Sequence, residues 1–167
     1  MSIDFKVLIC QTNSDKKLFG LCDDPSPARK PAYIDETDGA KWIAVVENDE
    51  RYDVMFTAID NCVEIRRADG TMDKRCDGIL TYGANVIFVE LKKREAWGNA
   101  WVRDAELQLR NTIDHFEKTE YAKGFSQKKA YIANSEHPKF KESQTNRMDR
   151  FFTDTGYILI IKNRITL

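Results

Sequence analysis

The sequence is poor in the patterns that mark membrane, secreted and nucleic-acid-coating proteins. No apolar run approaches the roughly 18 residues that a membrane-spanning helix needs, and the first residues lack the basic and long apolar regions of a signal peptide. The formal net charge is −1, which is not the strongly basic balance of a protein that coats nucleic acid. We therefore expect a soluble, cytoplasmic protein that contacts no membrane.

Soft metal ligands are also scarce. Two histidines, His115 and His137, are too few for a histidine-rich metal site, and the 4 cysteines show no CxxC spacing. The cysteines are Cys10, Cys22, Cys62 and Cys76. We interpret all of them as reduced thiols, as in most cytoplasmic proteins.

Length and composition are those of an ordinary globular protein. The 167 residues are 42% hydrophobic and 32% charged, which suits one compact domain with a real core. Residues 1–60 are net acidic and the remainder is net basic, so a basic face is expected on the C-terminal part. We predict a β-rich extension over residues 1–48, packed on a core over residues 49–167.

Hydrophobic periodicity predicts an α/β (α+β) fold with a central mixed sheet and flanking helices. In the extension, strands are predicted over 4–11, 18–22 and 41–46, with a proline-rich loop over 23–31. Residues 49–61 fit either a helix or a strand, and their β-branched and aromatic residues favour a strand. The order from Cys62 is β-β-β-α-β-α-β. Its predicted elements are strands 62–67, 75–81 and 85–92, helix 96–118, strand 128–134, helix 139–156 and strand 157–162.

The stretch NVIFVELK ends on two charges that a buried strand would normally exclude. A turn centred between Gly83 and Ala84 makes Asp77 the cross-strand neighbour of Glu90, and alternation of side chains puts Glu90 and Lys92 on one face. Two carboxylates that close repel each other unless a cation lies between them. Oxygen ligands alone favour a hard divalent ion, so we predict a site for Mg²⁺, with Mn²⁺ as a substitute.

These residues resemble the PD-(D/E)xK nuclease superfamily, which includes restriction endonucleases and Holliday-junction resolvases. The resemblance rests on Asp77, a twelve-residue gap and Glu90-Leu91-Lys92, within an element order that matches from about Cys62 to Lys162. Many members carry a glutamine on the helix after this motif, and Gln108 lies there. The resemblance implies a restriction-endonuclease-like core and Mg²⁺-dependent hydrolysis of phosphodiesters, and we expect DNA in preference to RNA as the substrate.

The resemblance also assigns roles. Asp77, Glu90 and the Leu91 backbone carbonyl would bind the metal, Lys92 would position the attacking water, and Gln108 would orient Lys92 or the substrate. Cys76 stands where the family often has proline. Many members add one more acid. The candidates for it, in order of preference, are Asp60, Glu64 and Glu47.

Basic residues beside aromatics suit phosphates and stacked bases. Lys93 and Arg94 precede Trp97 and Trp101 and are weak candidates for nucleic-acid binding. The two tryptophans are four residues apart on one helix face, so they also fit a core position. Related nucleases are commonly dimers, which makes a homodimer an expectation.

Two alternatives stay open at this point. One is a catalytically idle nuclease-fold protein that acts as a binding or immunity-type partner. The other is an ordinary α/β domain in which Glu90 and Lys92 form a salt bridge at a strand end.

Overall fold

The computed structural model describes residues 3–24, 29–93, 100–136 and 143–167. In chain order the strands and helices are β1 (Gln11–Ser14), β2 (Leu18–Cys22), β3 (Tyr33–Asp35), β4 (Ala44–Glu47), β5 (Val54–Ala58), β6 (Gly78–Tyr82), β7 (Asn85–Lys92), α1 (Ala100–Glu117), β8 (Gln127–Asn134), α2 (Thr145–Thr155), β9 (Ile158–Ile161) and β10 (Arg164–Thr166). Both sheets that these strands form are mixed, so the fold is α+β.

The larger sheet has six strands in the order β1-β5-β6-β7-β8-β9. The pairs from β1 to β7 are antiparallel, and the pairs β7–β8 and β8–β9 are parallel. Parallel neighbours need a crossover connection, and α1 and α2 provide the two that this half of the sheet requires. The smaller sheet has the order β10-β4-β2-β3, so it joins strands from both ends of the chain.

Side-chain alternation along β7 separates two hydrophobic cores. Val86 and Phe88 pack with residues of both helices, whereas Ile87, Val89 and Leu91 pack with residues of the smaller sheet. Both described helices therefore cover one face of the larger sheet, and the smaller sheet covers the other. This corrects the expectation that helices flank the sheet. Among the described residues, no helix is long and apolar enough to cross a membrane.

The helices follow their sequence patterns. On α1, buried residues recur every three or four positions, as an amphipathic helix requires. They are Trp101, Val102, Ala105, Leu109, Thr112, Ile113 and Phe116. The prediction that α2 ends at Gly156 is confirmed, because this glycine has φ of +79° and its amide donates to the Phe152 carbonyl. The predicted starts of both helices fall partly on residues 94–99 and 137–142, which lie outside the described residues.

The first strand of the central meander differs from the prediction. Residues 49–61 contain β5, which pairs with β6, as their strand-favouring composition indicates. The predicted strand over 62–67 is wrong, because that segment has one isolated bridge, between Arg66 and Met72. Burial explains the choice, since Val54, Phe56 and Ala58 are fully buried, whereas the hairpin around the Asp-Gly turn is polar and exposed.

Two strands of the extension are shorter than predicted. Residues 4–11 do not form one strand, because Leu8–Cys10 is a 3₁₀ helix and β1 begins at Gln11. Residues Gly39–Lys41 form another 3₁₀ helix, whose first turn is capped when the Asp38 side chain accepts from the Ala40 amide. The strand predicted over 41–46 therefore begins at Ala44.

The prediction of four reduced thiols is also wrong. Cys10 and Cys62 form a disulfide bond across a sequence separation of 52 residues. Cys22 and Cys76 are free and buried. The disulfide ties the segment before β1 to the turn after β5, two segments that no local sequence pattern brings together.

Candidate functional site

The site begins at the antiparallel pairing of β6 with β7. Tyr82 pairs with Asn85 and Gly78 pairs with Val89, so the predicted register is confirmed. One residue beyond Gly78, the Asp77 side chain accepts a hydrogen bond from the Leu91 amide at 2.6 Å. The end of β7 therefore holds the Asp77 carboxylate against the strand.

Asp77 and Glu90 form a buried carboxyl pair. Their exposed fractions are 6% and 2%. Burial and the Asp77 charge hold the pKa of Glu90 well above its usual range, and burial also raises the pKa of Asp77. Both carboxyl groups are therefore harder to ionise than carboxyl groups in water when no cation is bound.

One oxygen of this pair has no partner. Glu90 Oε2 is buried and finds no hydrogen-bond donor in the described part of the chain. Buried polar atoms are almost always satisfied, and exceptions in native proteins often mark a site for an ion or a water molecule. This oxygen is a ready ligand for a cation.

Lys92 lies beside the pair on the same face of β7. Its ammonium group is 3.9 Å from Glu90 Oε1 and donates to Gln108 Oε1 at 3.0 Å. Gln108 Nε2 donates in turn to the Arg75 carbonyl at 3.2 Å. Because α1 covers this face of the sheet, Gln108 reaches the strand end and holds Lys92 in place.

Asp60 lies in the same region, at the end of β5. The Ile59 amide donates to the Asp77 carbonyl at 2.9 Å, which keeps the two segments adjacent. The Asp60 carboxylate pairs with Arg75 at 3.1 Å and its side chain is 37% exposed. Asp60 therefore faces the cavity described below, but an arginine already compensates its charge.

The other two candidate acids lie elsewhere. Glu64 is exposed and pairs with Arg66, and Glu47 on β4 pairs with Arg164. Neither lines the cavity that holds Asp77, so neither is the additional acid of this site. The sequence analysis ranked both of them below Asp60, but it could not place them, because their placement depends on how distant strands pack.

Of the candidate nucleic-acid contacts, Lys93 lines the same cavity. Arg94 and Trp97 lie outside the described residues. Trp101 is 5% exposed and belongs to the core beneath α1, so it is not available for stacking on a base. Lys93 remains a prediction for phosphate contact.

The site opens into a cavity of about 650 Å³ at the end of β7. Its charged lining consists of Asp23, Asp24, Asp60, Asp77, Glu90, Lys41, Lys92 and Lys93. Acidic groups outnumber basic ones, so the cavity attracts cations and, without them, repels a polyanion. The cavity is also lined by the motif residues Asp77, Glu90, Leu91 and Lys92 and by the predicted glutamine, Gln108.

Asp23 and Asp24 were missed by the sequence reasoning. They follow β2 directly, in the loop that was interpreted only as a proline-rich connection. Burial, and then the charges of Asp77 and Asp60, raise the pKa of Asp23 to about 7. Asp24 accepts a hydrogen bond from the Tyr33 hydroxyl at 3.2 Å. The signal available in the sequence was an acidic residue directly after a predicted buried strand.

The donor set fits a hard divalent cation. Asp77 and Glu90 offer carboxylate oxygens, of which one is buried without a donor. Among the described residues, no three His, Cys, Asp or Glu side chains are grouped so that they could hold a metal ion. A pair of carboxylates is nevertheless the usual protein share of an Mg²⁺ site, because this ion keeps several waters and also binds substrate phosphates.

Comparison with known protein families, with curated proteins and with solved structures finds no match for this chain. The proposed function therefore depends on the geometry of the site.

Proposed function

We propose that this protein is an Mg²⁺-dependent phosphodiester hydrolase, a nuclease that acts on DNA in preference to RNA. The observation that carries the proposal is the buried Asp77–Glu90 pair, with an unpartnered Glu90 oxygen and an oriented lysine next to it. The Lys92 ammonium is 3.9 Å from Glu90 Oε1, and a salt bridge between these two residues alone would not need a second buried acid.

Asp77 and Glu90 would hold the cation, with the Leu91 carbonyl as a third protein ligand. When bound, Mg²⁺ would lower the pKa of a water molecule and neutralise charge on a phosphate. Both carboxyl groups would have to be ionised to bind it. The excess of acidic groups in the cavity would repel a phosphate backbone until the cation is present.

Lys92 would act on the reacting groups. Its ammonium group is a compact charge that positions a water or stabilises developing negative charge. Gln108 accepts a hydrogen bond from this ammonium group, and its own Nε2 donates to the Arg75 carbonyl. This anchor limits the rotation of a side chain that is otherwise flexible, and so it preorganises the lysine.

Cleavage assays on supercoiled, linear and branched DNA and on structured RNA, with Mg²⁺ or EDTA, test the proposal. The wild type should cleave with Mg²⁺ only, and Lys92→Ala should lose about 10²- to 10³-fold in rate. Lys92→Arg should not restore it, because a planar guanidinium differs in reach and shape. Lys118→Ala is the matched control, because Lys118 is exposed in the turn directly after α1 and pairs with Asp114.

Metal binding by Lys92→Ala should stay within a few-fold of the wild type, since Lys92 is not a ligand. If the wild type cleaves and Lys92→Ala cleaves equally well, the assigned chemistry is wrong. If the wild type cleaves none of these substrates with Mg²⁺ or Mn²⁺, the protein is not a nuclease, and the idle binding-partner function takes its place.

A further inference from the structure

The cavity receives an acid from the smaller sheet as well as from the larger one. Asp23 follows Cys22, the last residue of β2, and lines the same cavity as the motif residues. Cys22 is 2% exposed and Leu21 is fully buried, so the strand beneath Asp23 is firmly packed. The position of Asp23 is therefore set by the stacking of the two sheets.

The charges around Asp23 are unbalanced. Asp77 and Asp60 act on it as like charges, and among its main electrostatic neighbours only Lys92 has the opposite sign. Lys92 is already engaged with Gln108. Burying part of a carboxylate in such a setting is unfavourable unless a cation compensates it.

The unpartnered Glu90 oxygen gives an independent sign that a ligand belongs in this cavity. It is buried on a residue that is 2% exposed, and that residue lines the same cavity as Asp23. No three described acids are grouped closely enough to coordinate one ion directly. Mg²⁺ keeps several waters when protein carboxylates bind it, so a third acid can act through one of those waters.

We infer that Asp23 is a further cation-binding residue, which accepts a hydrogen bond from a water molecule on the divalent ion held by Asp77 and Glu90. The inference rests on the proposed function, since it assumes that this pair binds the ion. It makes the residue directly after β2 part of the site. Residues that contact metal-bound groups in this way commonly change metal affinity by 10- to 100-fold when they are mutated.

Calorimetric titration of the full chain with Mn²⁺ at pH 7.5 tests the inference. Asp23→Asn should weaken binding about tenfold or more. Asp114→Asn is the matched control, because it removes the same charge from an exposed residue that pairs with Lys118 and does not line this cavity. This control should stay within about threefold of the wild type, since loss of one screened surface charge has a small effect.

Asp23→Glu should bind Mn²⁺ within a few-fold of the wild type, because it keeps the carboxylate. Melting curves establish that each variant is folded, and Asp23→Ser replaces Asp23→Asn if the latter is not. Equal affinities for Asp23→Asn and Asp114→Asn would overturn the inference. If Glu90→Gln abolishes binding while Asp23→Asn does not weaken it, only this inference fails. If the wild type binds no Mn²⁺, the proposed function fails with it.

Discussion

Replacing Glu90 with glutamine separates a cation site from a structural salt bridge. Glutamine keeps the shape of the side chain and removes its charge and its titration. The pKa of Glu90 is raised well above its usual value of 4.5, so the folded state holds this proton more tightly than the unfolded state. The protonated Glu90 side chain therefore contributes to the free energy of unfolding. This contribution is fully present below about pH 4.5 and is lost as the pH rises through the pKa that Glu90 has in the folded state.

The size of the effect follows from proton linkage. Between the unfolded and the folded pKa, one such group lowers the free energy of unfolding by about 1.4 kcal/mol per pH unit. For a chain of 167 residues, about 1.4 kcal/mol corresponds to roughly 3–6 °C in melting temperature. In EDTA, Glu90→Gln should therefore melt progressively higher than the wild type as the pH rises above 4.5, the usual pKa of a glutamate.

Differential scanning calorimetry at several pH values, with EDTA or with saturating Mg²⁺, measures both slopes. Mg²⁺ should raise the wild-type melting temperature, because a ligand at 100 times its Kd stabilises the native state by about 2.7 kcal/mol. It should leave Glu90→Gln almost unchanged. Asp23, whose pKa is raised to about 7, contributes to the pH slope of both proteins and so does not alter their difference.

Glu106→Gln is the matched control. Glu106 accepts hydrogen bonds of 2.7 Å from both Arg110 and Arg147, so its loss should lower the free energy of unfolding by about 1–3 kcal/mol. If Glu90→Gln is destabilising in the same way, with a pH slope parallel to that of the wild type, then Glu90 serves as a salt-bridge partner. The argument for a cation site would then be refuted.

Three further variants have expected outcomes. Cys62→Ser breaks the disulfide and should lower the free energy of unfolding by about 2–5 kcal/mol; reductant should then shift the wild-type denaturation midpoint but not that of the variant. Gly78→Ala should lower the free energy of unfolding by about 1–3 kcal/mol, because a Cβ there would lie 2.8 Å from a backbone oxygen of β5. Gly124→Ala is its control and should be nearly neutral by the same measurement, because a Cβ there meets no atom within 4 Å. Gln108→Ala should slow single-turnover cleavage about tenfold with unchanged metal affinity, because it frees Lys92; an unchanged rate would show that this contact does not matter.

The pairing of Asp77 with Glu90 could be predicted from the sequence because every step in it is local. A tight turn sets the register of two adjacent strands, and side-chain alternation then sets the face of each residue. The placement of Gln108 followed from helical periodicity and from the resemblance to a nuclease motif. The end of α2 at Gly156 followed from the conformational freedom of glycine in the left-handed region.

The remaining features depend on contacts between distant segments. The Asp-Gly hairpin suggested a strand over 62–67, but the position beside β6 is taken by β5, in which Val54, Phe56 and Ala58 are fully buried. Alternation within a segment shows that one face is buried, and it does not show which other segment covers it.

The same physical reason explains the disulfide and the missed acid. Cys10 meets Cys62, and Asp23 lines the cavity of Asp77, because two sheets stack on a shared core. Loop closure depends only weakly on chain length, so sequence separation cannot indicate which distant residues meet. The sequence alone determined the carboxyl pair and its lysine, and the packing of the smaller sheet on the larger one decided what surrounds them.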